Sequence, residues 1–256
     1  RDDVPGDLRV GVFAEPGKTW RALIRFSNGG QADDRKPDAH GMALKLLGVP
    51  GPKLMPGRAH WTDQDFVMVD TEAFFCRGLE DYRIFSRAFG AILRFMYDRK
   101  GGLAAARGVA TLKLRRPDIA KRAKAFTSQS PRSPLVPHYW STTPYRLGAT
   151  PVHYMAVSPR AAEDRAQSGV DAPDGLGAAL RRELLDGPAR FTFGVHRQTD
   201  PERQPVEDPT VPWSENGAPF VPLAEIEIPR QRVVRDLTLS DALSFSPWNA
   251  IEAHRP

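Results

Sequence analysis

Hydrophobic and polar positions alternate most regularly near the start of the chain, over residues 20–27. Trp20, Ala22, Ile24 and Phe26 fall on one side of this stretch, and Arg21, Leu23, Arg25 and Ser27 fall on the other. A period of two predicts a β-strand. The Asn-Gly-Gly sequence that follows is typical of a turn. Residues 41–47 and 66–69 predict two further strands.

The period changes after Phe75 to apolar residues at every third or fourth position. This spacing predicts an amphipathic helix that ends near residues 100–102 and carries Leu79, Tyr82, Phe85, Phe89, Ile92 and Met96. A second helix is predicted over about residues 108–126, broken or restarted at Pro117. A short helix is predicted through Leu176, Leu180 and Leu184, and shorter strands at residues 138–142, 152–157, 190–197 and 223–228. Many strands with helices between them predict an α+β fold, with one antiparallel β-barrel domain over residues 1–256.

Composition sets the broad class. The chain has 256 residues, of which 41% are hydrophobic, so a substantial core is expected. No apolar run approaches the roughly 18 residues needed to cross a bilayer, which predicts no membrane span. The single cysteine, Cys76, excludes an internal disulfide and is expected to be a small buried side chain. A reducing compartment is compatible with one cysteine, so a cytoplasmic location is favoured, with the periplasm as the alternative.

The net charge of +5 comes largely from a basic segment, residues 99–124. Such a segment is either a nucleic-acid or anionic-membrane patch or a solvated helix face. No aromatic residue lies among these basic residues before Phe126, so bases would find no stacking surface. We therefore expect a solvated helix face and no nucleic-acid partner.

Three blocks of sequence resemble, in the same order, motifs of the catalase superfamily of haem proteins. They are IRFSNG with DDRKPDAHGMALKLLG, then DFVMVDTEAFF, and finally FTFGVHRQTDPERQPVEDPTVPW with LSFSPWNAIEAHRP. The pattern is most similar to small bacterial catalase-like proteins. The resemblance implies a catalase-like antiparallel β-barrel with helices packed outside it, haem b as cofactor, and hydrogen peroxide or an organic hydroperoxide as substrate. Two alternatives are a barrel that binds haem or another apolar ligand without catalysis, and a hydroperoxide-rearranging enzyme.

The resemblance also implies roles for individual residues. Arg25 would bind a haem propionate and Ser27 would orient a distal histidine. Asp70 stands where the family has a peroxide-contacting asparagine, and an ionised aspartate cannot donate a hydrogen bond. The haem-pocket walls would be Phe74, Phe75 and Phe245. The residues alone allow simpler interpretations. Arg25 could be a solvated strand arginine, Asp70 could cap a turn, and the three phenylalanines could be ordinary core residues. His40 replaces the arginine that is usual in the family, and we expect it to be a loop histidine without chemistry.

The family's iron ligand is a tyrosine preceded four residues earlier by an arginine. None of the five tyrosines, Tyr82, Tyr97, Tyr139, Tyr145 and Tyr154, has an arginine at that position. We therefore expect the sequence to be a fragment, with the axial tyrosine beyond Pro256 and the distal histidine before Arg1. Such a fragment would bind haem weakly and would not evolve oxygen from peroxide. The sequence leaves the oligomeric state open, with a homo-oligomer among the options.

Overall fold

The structure, a computed structural model, describes residues 3–98, 101–162, 169–233 and 242–256. Its centre is an antiparallel sheet with eight strands in these residues. The strands are β1 Arg21–Asn28, β2 His40–Leu47, β3 Asp63–Val69, β4 Tyr139–Trp140, β5 Tyr145–Leu147, β6 Thr150–Val157, β7 Ala189–Arg197 and β8 Phe220–Ile228. The strands predicted at 41–47, 66–69, 190–197 and 223–228 are confirmed with small extensions. The strand predicted at 138–142 is reduced to two residues, and β5 was not predicted.

The sheet is a curled half-barrel, so the predicted closed barrel is wrong. Its strand order is β1-β2-β3-β4-β6-β7-β8, with β5 paired to β6. No ladder joins β1 to β8 in the described residues. The first half of the sheet joins the second through β4, where Val69 faces Trp140 as a single pair. The sheet does not bury its apolar face by closing on itself. Residues 4–13 and Ile251 pack against that face instead.

Four α-helices lie in the described residues: α1 Leu79–Asp98, α2 Gly102–Arg115, α3 Pro117–Phe126 and α4 Gly175–Asp186. The predicted first helix is confirmed. The region predicted as one interrupted helix over 108–126 forms two helices, because Pro117 occupies the first turn of α3, where its missing N–H costs nothing. Among the described helices, none combines the length and the hydropathy needed to cross a bilayer.

Two apolar clusters hold the layers together. The larger lies on one face of the half-barrel and includes Met42, Leu44, Phe66 and Phe191. The smaller lies among the first three helices and includes Phe75, Cys76, Ala88, Leu112 and Ile119. Cys76 is buried, as expected. Each large apolar side chain buried in this way stabilises the fold by about 1.5–3 kcal/mol.

A buried histidine ties both ends of the chain to the sheet. The backbone N–H of Val12 donates to Nε2 of His254 at 2.9 Å, and Nδ1 lies 2.7 Å from the hydroxyl oxygen of Tyr154. Because Nε2 accepts, the proton of the neutral imidazole is on Nδ1. Burial lowers the pKa of His254 to about 3, so the ring stays neutral. A Cβ on Gly11, whose φ is +59°, would overlap this Nε2 atom. The close approach therefore requires glycine.

Candidate functional site

Arg25 and Ser27 lie on the face of β1 opposite the core. Ile24 and Phe26, between and beside them, pack against the core instead. The register places Arg25 opposite Ala43 and Ser27 opposite Gly41. Gly41 has no room for a side chain, since a Cβ there would lie 2.6 Å from the Ser27 hydroxyl oxygen. The residues of β2 directly opposite Arg25 and Ser27 therefore carry nothing larger than a methyl group.

Phe245 comes to this face from the C-terminal segment. The guanidinium carbon of Arg25 lies 4.4 Å from the centre of its ring, and Arg25 Nη1 donates to the carbonyl of Leu243 at 3.1 Å. Cation–π contacts of this kind contribute about 0.5–2 kcal/mol. Arg25 has no carboxylate partner among the described residues. The fold thus brings together two of the predicted site residues, Arg25 and Phe245. The hydrogen bond from Arg25 to Leu243 spans 218 positions of the chain.

Beneath Phe245 lies a buried charge cluster that sequence reasoning missed. Lys45 is 5% exposed, and its Nζ lies 2.6 Å from Asp63 Oδ2 and 2.6 Å from Asp65 Oδ1. Burial raises the pKa of Asp65, and the hydrogen bond from Lys45 opposes that rise. Asp65 also accepts from the backbone N–H of Ser246 at 3.0 Å. The cluster therefore anchors the segment that carries Phe245. A lysine inside the apolar run MALKLL was the available signal.

Phe74 and Phe75 lie elsewhere, in the helical cluster. Their rings are 4.4 Å apart, and both lie within 6 Å of the ring of Phe126. Phe75 also contacts Phe85 of α1 at 4.5 Å between ring centres. In the described residues these rings contact neither Arg25 nor Phe245, and their role as haem-pocket walls stays a prediction.

Asp70 pairs with His40, for which no chemistry was predicted. His40 is the first residue of β2, not a loop residue, and the two side chains belong to residues only 6% and 8% exposed. Asp70 Oδ1 accepts from the His40 backbone N–H at 2.9 Å, and Oδ2 lies 2.7 Å from His40 Nδ1. Both carboxylate oxygens are therefore engaged by one residue. No local sequence pattern indicates a pairing between His40 and Asp70, which are 30 positions apart.

A cavity of about 470 Å³ lies at this end of the half-barrel. It is bounded by the end of β1, the start of β2, the loop around residues 131–134 and the first part of α4. His40 and Ser27 line it, whereas Arg25 and Phe245 do not. The predicted site residues thus occupy three places: the Arg25–Phe245 face, the cavity end with Ser27 and Asp70, and the helical cluster.

Two of the tyrosines, Tyr145 and Tyr154, lie in surroundings that disfavour a tyrosinate. Burial raises the pKa values of Tyr145 and Tyr154 above the ordinary phenol value. The hydroxyl of buried Tyr139 donates to the carbonyl of Pro134 at 2.8 Å. Tyr82 is half exposed on α1, and the side chain of Tyr97 lies outside the described residues. Among the described side chains, no group of three or more His, Cys, Asp or Glu residues could hold a metal ion.

Comparison with solved structures identifies the fold as catalase-like. The chain is similar to catalase A from Saccharomyces cerevisiae, with a TM-score of 0.61 and 16% sequence identity. The match covers 95% of this chain and 51% of that one, so the chain spans about half the length of the catalase. No known protein family and no curated protein matches the sequence. At this identity the likeness concerns the fold alone.

Proposed function

We propose that this chain forms the haem-facing wall of a catalase-like oxidoreductase that acts on hydrogen peroxide or an organic hydroperoxide. The observation that supports the proposal is the contact between Arg25 and Phe245 on the outer face of β1, beside Ala43. The guanidinium of Arg25 has N–H donors beyond the one that it gives to Leu243. Such a group suits a carboxylate, because the two planar groups form paired hydrogen bonds. The catalase-like fold makes the carboxylate of a haem propionate the natural partner.

The residues on this face suit the carboxylate edge of a haem. Arg25 would bind the propionate, and Phe245 would hold the guanidinium in place through its ring. Gly41 and Ala43 place no large side chain on the strand beside Arg25. When bound, haem would supply the redox chemistry of its iron. The work of this chain's own residues is then to bind and orient the carboxylate edge.

The iron's axial bond does not fit the described tyrosines. Tyr145 and Tyr154 are held neutral by burial, whereas an axial phenol must ionise. A tyrosinate ligand to haem iron would therefore have to come from a tyrosine other than Tyr145 and Tyr154.

A half-barrel that binds haem or another apolar ligand without catalysis is the second candidate. The neutral state of the buried tyrosines favours it over turnover by these residues alone. A hydroperoxide-rearranging activity is a variant of the first candidate, and the carboxylate of Asp70 in place of an amide is its support.

Haem loading followed by peroxide assays separates these candidates. Haem-dependent loss of hydrogen peroxide or an organic hydroperoxide, faster than with free haem, would support the oxidoreductase. A saturable haem complex with no turnover beyond free haem would favour the binding protein. A hydroperoxide converted to a rearranged product, without oxygen release, would identify the third activity. Absence of saturable haem binding would contradict the proposal.

A further inference from the structure

The cavity at the end of the half-barrel contains an acid–base group that the proposed haem face does not use. His40 lines the cavity, and its volume of about 470 Å³ is in the range of small-molecule sites. The imidazole is almost wholly buried, and its position is fixed by Asp70. A fixed histidine beside a cavity of ligand size is a candidate for ligand recognition.

Asp70 determines which ring nitrogen of His40 faces a ligand. Its Oδ2 lies 2.7 Å from Nδ1, and an ionised carboxylate can only accept a hydrogen bond. In the neutral imidazole, Nδ1 therefore carries the proton and Nε2 carries a lone pair. Nε2 has no partner in the part of the chain that the structure describes, and it is not sealed from solvent. In the neutral ring the free nitrogen of His40 is thus an acceptor.

The cavity walls favour a ligand with an apolar body and no negative charge. Apolar side chains supply much of the lining: Phe26, Tyr139, Leu176, Leu180, Val233 and three prolines, Pro131, Pro134 and Pro173. The charged side chains in the lining are Asp34, Asp174 and Arg181. Arg181 already pairs with Asp174 at 3.3 Å. Because carboxylates outnumber guanidinium groups here, an anion would be repelled.

We propose that this cavity binds a neutral alcohol or phenol with an aromatic or other apolar body, whose hydroxyl donates to Nε2 of His40. Asp70 is the positioning residue, because it places the acceptor lone pair on that nitrogen. Binding at this site needs no haem, so the proposal goes beyond the proposed function and can be tested independently of it.

Two matched probes test the proposal on the haem-free protein. 1-Phenylethanol and acetophenone share ring and shape, but only the alcohol has a hydroxyl to donate. One hydrogen bond contributes about 1 kcal/mol, so we expect the alcohol to bind about fivefold more tightly in calorimetric titration. Mandelate, in which a carboxylate replaces the methyl group of 1-phenylethanol, should bind more weakly than 1-phenylethanol. Equal affinity for alcohol and ketone, or tighter binding of mandelate, would overturn the proposal.

Asp70→Asn tests the positioning role. The amide of asparagine can donate to Nδ1, which moves the proton of the neutral ring to Nε2 and turns the free nitrogen into a donor. An alcohol and a ketone can both accept from that donor, so the fivefold preference should vanish. A preference that persists in the variant, although nitrogen NMR shows the proton moved, would refute the assignment.

Nitrogen NMR of the parent protein gives a readout that does not depend on the variant folding. The alcohol should shift the Nε2 resonance of His40 and leave that of exposed His60 unchanged. An unperturbed His40 resonance at saturating alcohol would overturn the proposal.

Discussion

Acid should destabilise this protein well above the pH at which its carboxylates titrate, and His254 is one of two buried histidines responsible. The imidazole is 0% exposed and neutral in the native state, with a pKa of about 3. In the unfolded chain a histidine has a pKa of about 6.5. Between these two values the unfolded state binds one proton more than the native state. Stability is therefore complete above about pH 6.5 and falls as the pH decreases toward 3.

The magnitude follows from the width of that window. Each pH unit below 6.5 costs about 1.4 kcal/mol for one such histidine, so His254 alone should cost about 2 kcal/mol at pH 5. That figure requires only that the native pKa lies below 5. His153 is also buried, with a pKa lowered to about 3 by burial, and should add a similar loss. Together they should remove about 4 kcal/mol between pH 7 and pH 5.

Urea unfolding at pH 7 and pH 5 measures this loss. His254→Gln keeps an acceptor for the Val12 N–H but cannot titrate. The variant should be less stable at pH 7, since ring contacts with Phe13 and Phe66 are lost, yet its loss between the two pH values should be smaller by about 2 kcal/mol. His60→Gln, the same change at an exposed site, should leave the pH dependence unaltered. Equal pH dependence in His254→Gln and the parent would refute the reasoning.

Two further stability predictions rest on matched pairs of variants. Alanine at position 11 or 17 places a side chain at positive φ, but only in Gly11→Ala would it overlap the buried imidazole. Gly11→Ala should therefore lower the free energy of unfolding in urea by roughly 1–3 kcal/mol more than Gly17→Ala. Equal losses of stability in the two variants would contradict the overlap. Lys45→Met leaves buried Asp65 without its partner and should cost roughly 3–5 kcal/mol. Lys18→Met breaks an exposed pair and should cost less than about 1 kcal/mol, so similar losses for the two lysine variants would show that the buried cluster is not held by charge pairing.

The sequence predicted the elements whose pattern is local. The alternation through Arg25 and Ser27 predicted β1, and the spacing through Phe85 predicted α1, because both periods are written in consecutive residues. Pro117 marked the break between α2 and α3. Closure of the sheet was predicted wrongly, since whether β1 meets β8 depends on how terminal segments fill the core and on no local period.

The candidate site was less accessible from sequence than the fold. The meeting of Arg25 and Phe245 was suggested by the family resemblance, which places both beside haem, and not by any local spacing. His40 was misjudged as a loop residue because its partner, Asp70, is 30 positions away. His254, near the last residue, becomes a core residue only because Val12 and Tyr154 enclose it. Pairings of this kind are created by the tertiary fold and cannot be read from neighbouring residues.

The most direct test of the central proposal is a haem titration of three proteins, followed by absorbance: the parent, Arg25→Ala and Arg21→Ala. Arg21 is the matched control, because it lies on the same strand and face but is exposed and away from Phe245. If Arg25 binds a propionate, its loss should weaken haem binding by roughly 1.5–3 kcal/mol, the contribution of a charge-assisted hydrogen bond. Arg21→Ala should bind as the parent does, and circular dichroism should be the same for all three. Equal haem affinity in the parent and Arg25→Ala would contradict the proposed haem face.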